Sequence, residues 1–309
     1  MLATAKGKVA GLLRDGGGFP SSASLLILGC DNEDESGMAS QKAKRIITSV
    51  IVAAVAMTAA LLVLRWRPAA LATIRHASTG SVDDRLSDLP HVILWAWERP
   101  EDLRFINPQE TGVAYLAATI RLRGDRTIIR PRLQPLRLAP GTRRVAVVRL
   151  ETGNHPLYSD DQRRRIVAEL IGLAGGENVE AVQIDFDALT SERAFYRALL
   201  VDLRGQLPKA VRLSITALAS WCYGDNWIAD LPIDEAVPML FRMGADHENI
   251  QMRLKAGDPF SAPLARHSLG ISTDEPIDGL PTARRVYVFN PRPWSAESVG
   301  QILREVQQK

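Results

Sequence analysis

Beyond about residue 90 the chain repeats one pattern. A short strand-like run gives way to a longer segment whose apolar residues fall three or four apart. Eight strand candidates are legible, at 91–97, 113–121, 144–151, 179–187, 211–218, 235–242, 268–272 and 285–290. The fourth is the most informative. Val182, Ile184 and Phe186 share one face, while Ala181, Gln183, Asp185 and Asp187 share the other. Helix-like segments flank it, so both faces are expected to be buried, as in a parallel sheet covered on two sides. Ser159 with Gln162 three residues on is a capping box, and Ile166, Leu170 and Leu173 form the stripe of the helix it opens. Ser191 opens a second helix, with Phe195, Leu199, Leu203 and Leu207 four apart and Pro208 as its stop. Segments 246–256 and 296–307 read as further helices. Between the second and third strands, 127–130 and 136–138 suggest a hairpin instead. The expected fold class is α/β: a (β/α)8 TIM-barrel-like domain over 90–309 with irregular early units, an open doubly wound sheet being the alternative.

A barrel of this kind gathers its chemistry at the C-terminal ends of its strands. Those ends carry Trp95 and Trp97, Arg149 and Glu151, Asp185 and Asp187, and Thr216 followed by Trp221. The later strands add Arg242 and Trp294. Burying an unpaired carboxylate is costly, so Asp185 and Asp187 on an inward face should be paired, protonated or in use. Aromatic faces beside charged groups suit the C–H faces and hydroxyls of a sugar.

Composition narrows this only a little. The 309 residues carry a net charge of +3, an excess too mild for a nucleic-acid partner. Arginines gather between Arg121 and Arg149, either as a solvated edge or facing an anionic partner such as a lipid headgroup or an acidic glycan. Two cysteines, Cys30 and Cys222, rule out a disulfide framework. No Walker loop or metal-ligand spacing occurs, and neither metal nor cofactor is expected.

The first 89 residues are of another kind. Residues 1–41, rich in Gly, Ser and acids, read as disordered or as an over-extended start ahead of Met38. Ile27-Leu28-Gly29-Cys30 faintly resembles a lipobox. Ile46 to Leu64 runs without a charge, close to the roughly 20 residues that span a bilayer. Lys42, Lys44 and Arg45 before it favour a cytoplasmic N-terminus. Residues 42–67 are therefore expected to be a transmembrane signal anchor in a bacterial inner membrane. Cleavage near Ala70-Leu71-Ala72 is the rival. A linker at 68–89 would lead to a domain facing the periplasm or exterior.

Glu180-Ala-Val-Gln183-Ile-Asp185-Phe-Asp187 resembles the DxxDxDxE strand of chitinase-type family-18 glycoside hydrolases. Glu180 and Gln183 stand for its first two aspartates, Asp185 for the third, and Asp187 for the catalytic glutamate, which is one methylene longer. Leu213 to Ala217 resembles the fifth strand of those enzymes. Met239-Leu-Phe241-Arg242 is similar to their Met-x-Tyr-Asp strand, with Phe-Arg where Tyr-Asp would grip an acetamido group. More closely, VQIDFDALTSERAFYRALL, LSITALASWC and DEAVPMLFRMG resemble a bacterial family of unassigned function with a TIM-barrel-like domain. The family-18 resemblance implies Asp187 as general acid and Asp185 as its electrostatic partner, in a substrate-assisted hydrolysis. On the residues alone, Glu151 is a second candidate to act with Asp187 across a glycosidic bond. Trp95, Trp97, Arg149, Thr216, Trp221, Arg242 and Trp294 are the candidate binding residues. The expected function is a membrane-anchored, extracytoplasmic glycoside-hydrolase-like protein that acts on or binds a glycan or cell-envelope polysaccharide, with a strand-four carboxylate as general acid. The alternative is a barrel that binds a glycan or a partner without turnover.

Overall fold

The computed structural model describes residues 89–277, 280 and 284–307. Eight parallel strands close into a barrel: β1 (Val92–Ala96), β3 (Thr111–Arg123), β6 (Arg144–Thr152), β7 (Val179–Asp185), β8 (Arg212–Leu218), β9 (Glu235–Met239), β10 (Ser268–Ser272) and β11 (Arg285–Phe289). They pair in chain order, and β1 closes the ring by pairing with both β11 and β3. All eight predicted strands are present, and the open sheet is excluded by that closure. The domain expected over 90–309 accounts for nearly all of the described chain. The predicted anchor from Ile46 to Leu64 lies outside the described residues. No helix among the described residues is long and apolar enough to cross a membrane.

The helices follow the apolar spacing. Helix α1 (Asp160–Ala174) opens on the Ser159–Gln162 capping box, with both reciprocal bonds made. Helix α2 (Arg193–Gln206) buries Phe195, Leu199 and Leu203, and Leu207 is buried just past its end. A 3-10 turn at Thr190–Glu192 takes the place of the helix start expected at Ser191. Helices α3 (Ala219–Tyr223), α4 (His247–Lys255) and α5 (Ala296–Gln307) follow β8, β9 and β11. Early units are irregular, as expected, but the hairpin expectation needs correcting. Strand β4 (Arg126–Pro131) folds back antiparallel on β3, whereas β5 (Leu136–Leu138) pairs in parallel with β2 (Glu101–Leu103). Pro131 and Pro135 break the chain between them, and a neighbouring loop supplies the partner strand.

Alternation along each strand divides the core. Val182, Ile184 and Phe186 join the layer between barrel and helices, with Ile166, Leu170 and Leu199. Ile93, Trp95, Ala114, Val145, Val147, Ala181, Val237 and Tyr287 fill the barrel itself. Gly270 makes that filling possible. A Cβ there would sit 2.9 Å from the Trp95 indole and 3.2 Å from the Pro238 carbonyl oxygen.

The barrel also holds a polar column. Glu235, at the first position of β9 and 1% exposed, accepts from Ser214 at 2.9 Å and from the Tyr287 hydroxyl at 2.8 Å. Ser268 donates to its other oxygen, and Arg285 lies 3.4 Å away. From Ser214 the chain of bonds climbs. Gln183 donates to Ser214 at 3.0 Å, and Trp95 donates through its indole nitrogen to Gln183 at 3.1 Å. Burial and the Glu235 carboxylate both push the Tyr287 phenol up.

Candidate active site

At the C-terminal mouth of the barrel lies a hollow of about 350 Å³. Its acids come from the end of β7. Asp185 is 8% exposed and accepts a 2.8 Å hydrogen bond from Thr216 on β8. Arg149 on β6 approaches its other oxygen at 3.6 Å. Asp187 follows at the strand end, where its residue is exposed. Trp95 from β1, Trp97 just past its end, Phe241 and Arg242 after β9, and Phe289 from β11 supply the walls. Phe241 stacks on Phe289 with centroids 5.7 Å apart and planes 4° from parallel, and Trp95 meets Phe241 edge-on at 6.2 Å.

The two carboxylates are not equivalent. Desolvation raises the pKa of both. For Asp185 the Thr216 hydroxyl and Arg149 oppose that rise, while Asp187 and Glu151 add to it. For Asp187 only Arg149 opposes it. Donors aimed at Asp185 favour its ionised form. Asp187 is more exposed than Asp185 and has Arg149 alone against the rise, so the two carboxyls differ in surroundings although both are pushed up by desolvation.

Seven of the ten sequence-derived site residues line this one hollow: Asp185, Asp187, Trp95, Trp97, Arg149, Thr216 and Arg242. Three do not. Glu151 faces the same way as Arg149 but is held by Arg121, whose Nε donates to it at 3.0 Å. Arg149 adds a contact at 3.3 Å. The Arg121 hydrogen bond is the main cause that lowers its pKa, so Glu151 reads as an anchor for Arg149. The placement of Trp221 and Trp294 corrects the expectation that residues past strand ends face a ligand. Helix α3 starts immediately after β8 and turns Trp221 into the core, edge-on to Trp227 at 5.0 Å. Trp294 folds beneath β1 and donates its indole N–H to the Trp95 carbonyl oxygen at 3.0 Å, while its backbone N–H donates to Glu101. It supports the wall from behind.

Arg242 reaches the rim at a cost. Its φ is +53°, unusual outside glycine. Its N–H donates to Glu275 at 2.8 Å, and its guanidinium lies 5.3 Å from the Phe289 ring centroid and 3.7 Å from Asp274. Phe289, Met243 and Asp246 also line the hollow and were not picked out from sequence. They are ordinary core or loop residues until the strand ends are brought together. Among the described residues, no group of three or more His, Cys, Asp or Glu side chains is placed to hold a metal ion.

Residues 140–238 match a family model described as a domain of unknown function, DUF3142. The matched segment runs from just before β6 into β9, and so contains Arg149, Glu151, Asp185, Asp187 and Thr216 but stops short of Phe241 and Arg242. No curated protein matches the chain. Among solved structures the chain is similar to the Bacillus cereus spore cortex-lytic enzyme SleL, at 16% identity and a TM-score of 0.40. That similarity covers 59% of this chain and 51% of SleL, so the chain spans about half of that enzyme.

Replacing Asp185 separates stability from chemistry. Its pKa is raised in the fold, so the native state binds more protons than the unfolded chain. Stability is fullest below the ordinary aspartate range and declines as pH rises through the higher native value. Asp185→Asn keeps an oxygen to accept from Thr216 and removes the buried charge. The variant should gain roughly 1 kcal/mol at pH 7, or about 2–4 °C in Tm, with a flatter pH dependence. Thermal melts between pH 4 and 8 read this directly. A destabilised variant at pH 7 would show that ionised Asp185 holds the fold together.

Proposed function

We propose that this barrel binds a glycan at its mouth and hydrolyses a glycosidic bond there, with Asp187 as general acid. The observation that carries the reading is the Asp185–Asp187 pair opening into a hollow walled by Trp95, Trp97, Phe241 and Phe289. A sealed interior in which arginines neutralised both acids would have meant structure alone. Asp187 donates its proton to the glycosidic oxygen, the bond from that oxygen to the anomeric carbon breaks, and the aglycone leaves as an alcohol. Asp185, held by Thr216 and Arg149, stabilises in its carboxylate form the positive charge that develops on the sugar. A nucleophile then attacks the anomeric carbon. The family-18 resemblance would assign that attack to the substrate's own acetamido oxygen. Phe241 and Arg242 offer it no matching grip, so a water molecule is the better nucleophile here. Water adds, and its proton returns to Asp187.

The chain from Ile46 to Leu64 would anchor this domain to a bacterial inner membrane and present it to the cell envelope. The second reading is a glycan-binding barrel without turnover. It is favoured by the aspartate at 187, shorter than the glutamate of the resembled motif. A panel of fluorogenic glycosides and envelope polysaccharides separates the two. Release of product supports the hydrolase, and saturable binding with no product supports the lectin-like barrel. Neither binding nor release from any member would sink both.

A further inference from the structure

The β3–β4 hairpin rises beyond the barrel beside the mouth, and its two faces are unlike. Ile120, Leu122 and Ile129 pack into the helix-side core with Ile166 and Leu170. The opposite face pairs Thr119 with Arg130, Arg121 with Ile128 and Arg123 with Arg126. Four arginines therefore share one face, all exposed. This is the pocket side. On neighbouring β6, Val148 and Leu150 join the helix-side core, while Arg149 lines the hollow and Glu151 receives Arg121. The run Arg121, Glu151, Arg149, Asp185 is thus continuous from the hairpin to the acids.

Two like charges directly opposite on a hairpin destabilise it. Yet Arg123 faces Arg126, and among the described residues neither these two nor Arg130 meets a carboxylate in an ion pair. Asp125 at the turn is the only acid in the hairpin itself. The hairpin is nonetheless held in place. The side chain of Gln162, 0% exposed, donates to the carbonyl oxygens of Gly124 and Arg126 at 3.0 and 3.3 Å. Leu157 N–H donates to Gly124 as well. A fixed sheet face with uncompensated positive charge beside a candidate active site violates a local folding rule where function can require it.

We propose that this arginine face is a binding subsite for an acidic polysaccharide, whose carboxylates lie along the hairpin while one of its sugars enters the hollow. The proposal rests on the glycan reading of the hollow and names the substrate class within it. A flexible chain is favoured over a membrane surface because the charges face the mouth of the barrel. The exposed outer side of helix α1 has its own ion pairs, Arg164 and Arg165 with Asp161.

Affinity electrophoresis of the full chain through polygalacturonate, and through its fully methyl-esterified form, tests this. The acidic polymer should retard the protein and the ester should not, with retardation falling as salt rises. The triple variant Arg123→Gln, Arg126→Gln, Arg130→Gln should bind the acidic polymer at least about tenfold more weakly. Arg164→Gln with Arg165→Gln, exposed on helix α1 and already paired with Asp161, should leave binding unchanged. Asp187→Asn should also still bind, so loss of turnover and loss of this subsite are told apart. Equal retardation by the ester, no retardation by either polymer, or an unaffected hairpin variant overturns the proposal. So does a stronger hairpin-dependent affinity for vesicles of equal parts phosphatidylcholine and phosphatidylglycerol, or for single-stranded DNA.

Discussion

Asp187→Asn should lower kcat on any glycoside that the wild type cleaves by about 10²–10⁴-fold while leaving KM nearly unchanged. Asparagine keeps the volume and polarity of the side chain but has no proton to give. Proton transfer to the leaving oxygen occurs only on the way to the transition state, so ground-state binding should survive. The pH profile supplies an independent check. Desolvation raises the Asp187 pKa, and a general acid works only while protonated. Activity should therefore persist above the ordinary aspartate range and fall as pH rises through the raised value. Asp187→Asn should lose that basic limb along with most of the rate. An activated leaving group such as dinitrophenolate needs little protonation, so the variant's deficit should shrink on it. A deficit of equal size on good and poor leaving groups would remove Asp187 from the acid role.

Arg149 sets how far this acid can be tuned. It is the one group opposing the upward shift of Asp187, and it also contacts Asp185 and Glu151. Glu151 is fastened in turn by Arg121. The two acids proposed to do chemistry thus end a ladder of alternating charge that begins on the hairpin. Through that ladder, an anion bound along the arginine face could bias the protonation of the pair.

The strand scaffold was legible because its signals are local. Each strand is a short run bounded by turn chemistry, and β7 showed its two faces through alternation alone. The acids followed from that face, because an inward carboxylate at the end of a barrel strand has few other places to be. The aromatic residues were not all legible. Trp95 lies on β1 and Trp97 is the first residue past it, so the alternation of the strand fixed their direction. Trp221 and Trp294 lie beyond strand ends, and only the path of the following backbone decides whether such a ring turns to the mouth or to the core. Phe289 escaped notice for the opposite reason: as one apolar residue in an apolar strand, it carries no mark of which layer it joins. The arginine face needed the β3–β4 register, which places four sequence-separated charges side by side.

The largest structural effect should come from the other end of the barrel, where sequence gave no warning. Glu235→Ala should destabilise the fold by about 3–5 kcal/mol. Its carboxylate is the common acceptor for Ser214, Ser268 and Tyr287 and the partner of Arg285. Removing it strands three hydroxyl donors and takes the carboxylate partner from a guanidinium that is 9% exposed, leaving Arg285 its bonds to the Pro90 and Leu89 carbonyl oxygens. Denaturant unfolding should report the loss, with Tm lower by about 10 °C or more. Glu235→Gln should cost less, because an oxygen remains to accept from the hydroxyls. The consequence should reach the mouth as well. Ser214 links Glu235 to Gln183, and Gln183 fixes the indole of Trp95, which lines the hollow. The near-ultraviolet circular dichroism of Trp95 should therefore change in Glu235→Gln even where the protein stays folded, with Trp95→Phe identifying its share of the signal. An unchanged signal beside a lowered Tm would confine Glu235 to holding the base of the barrel.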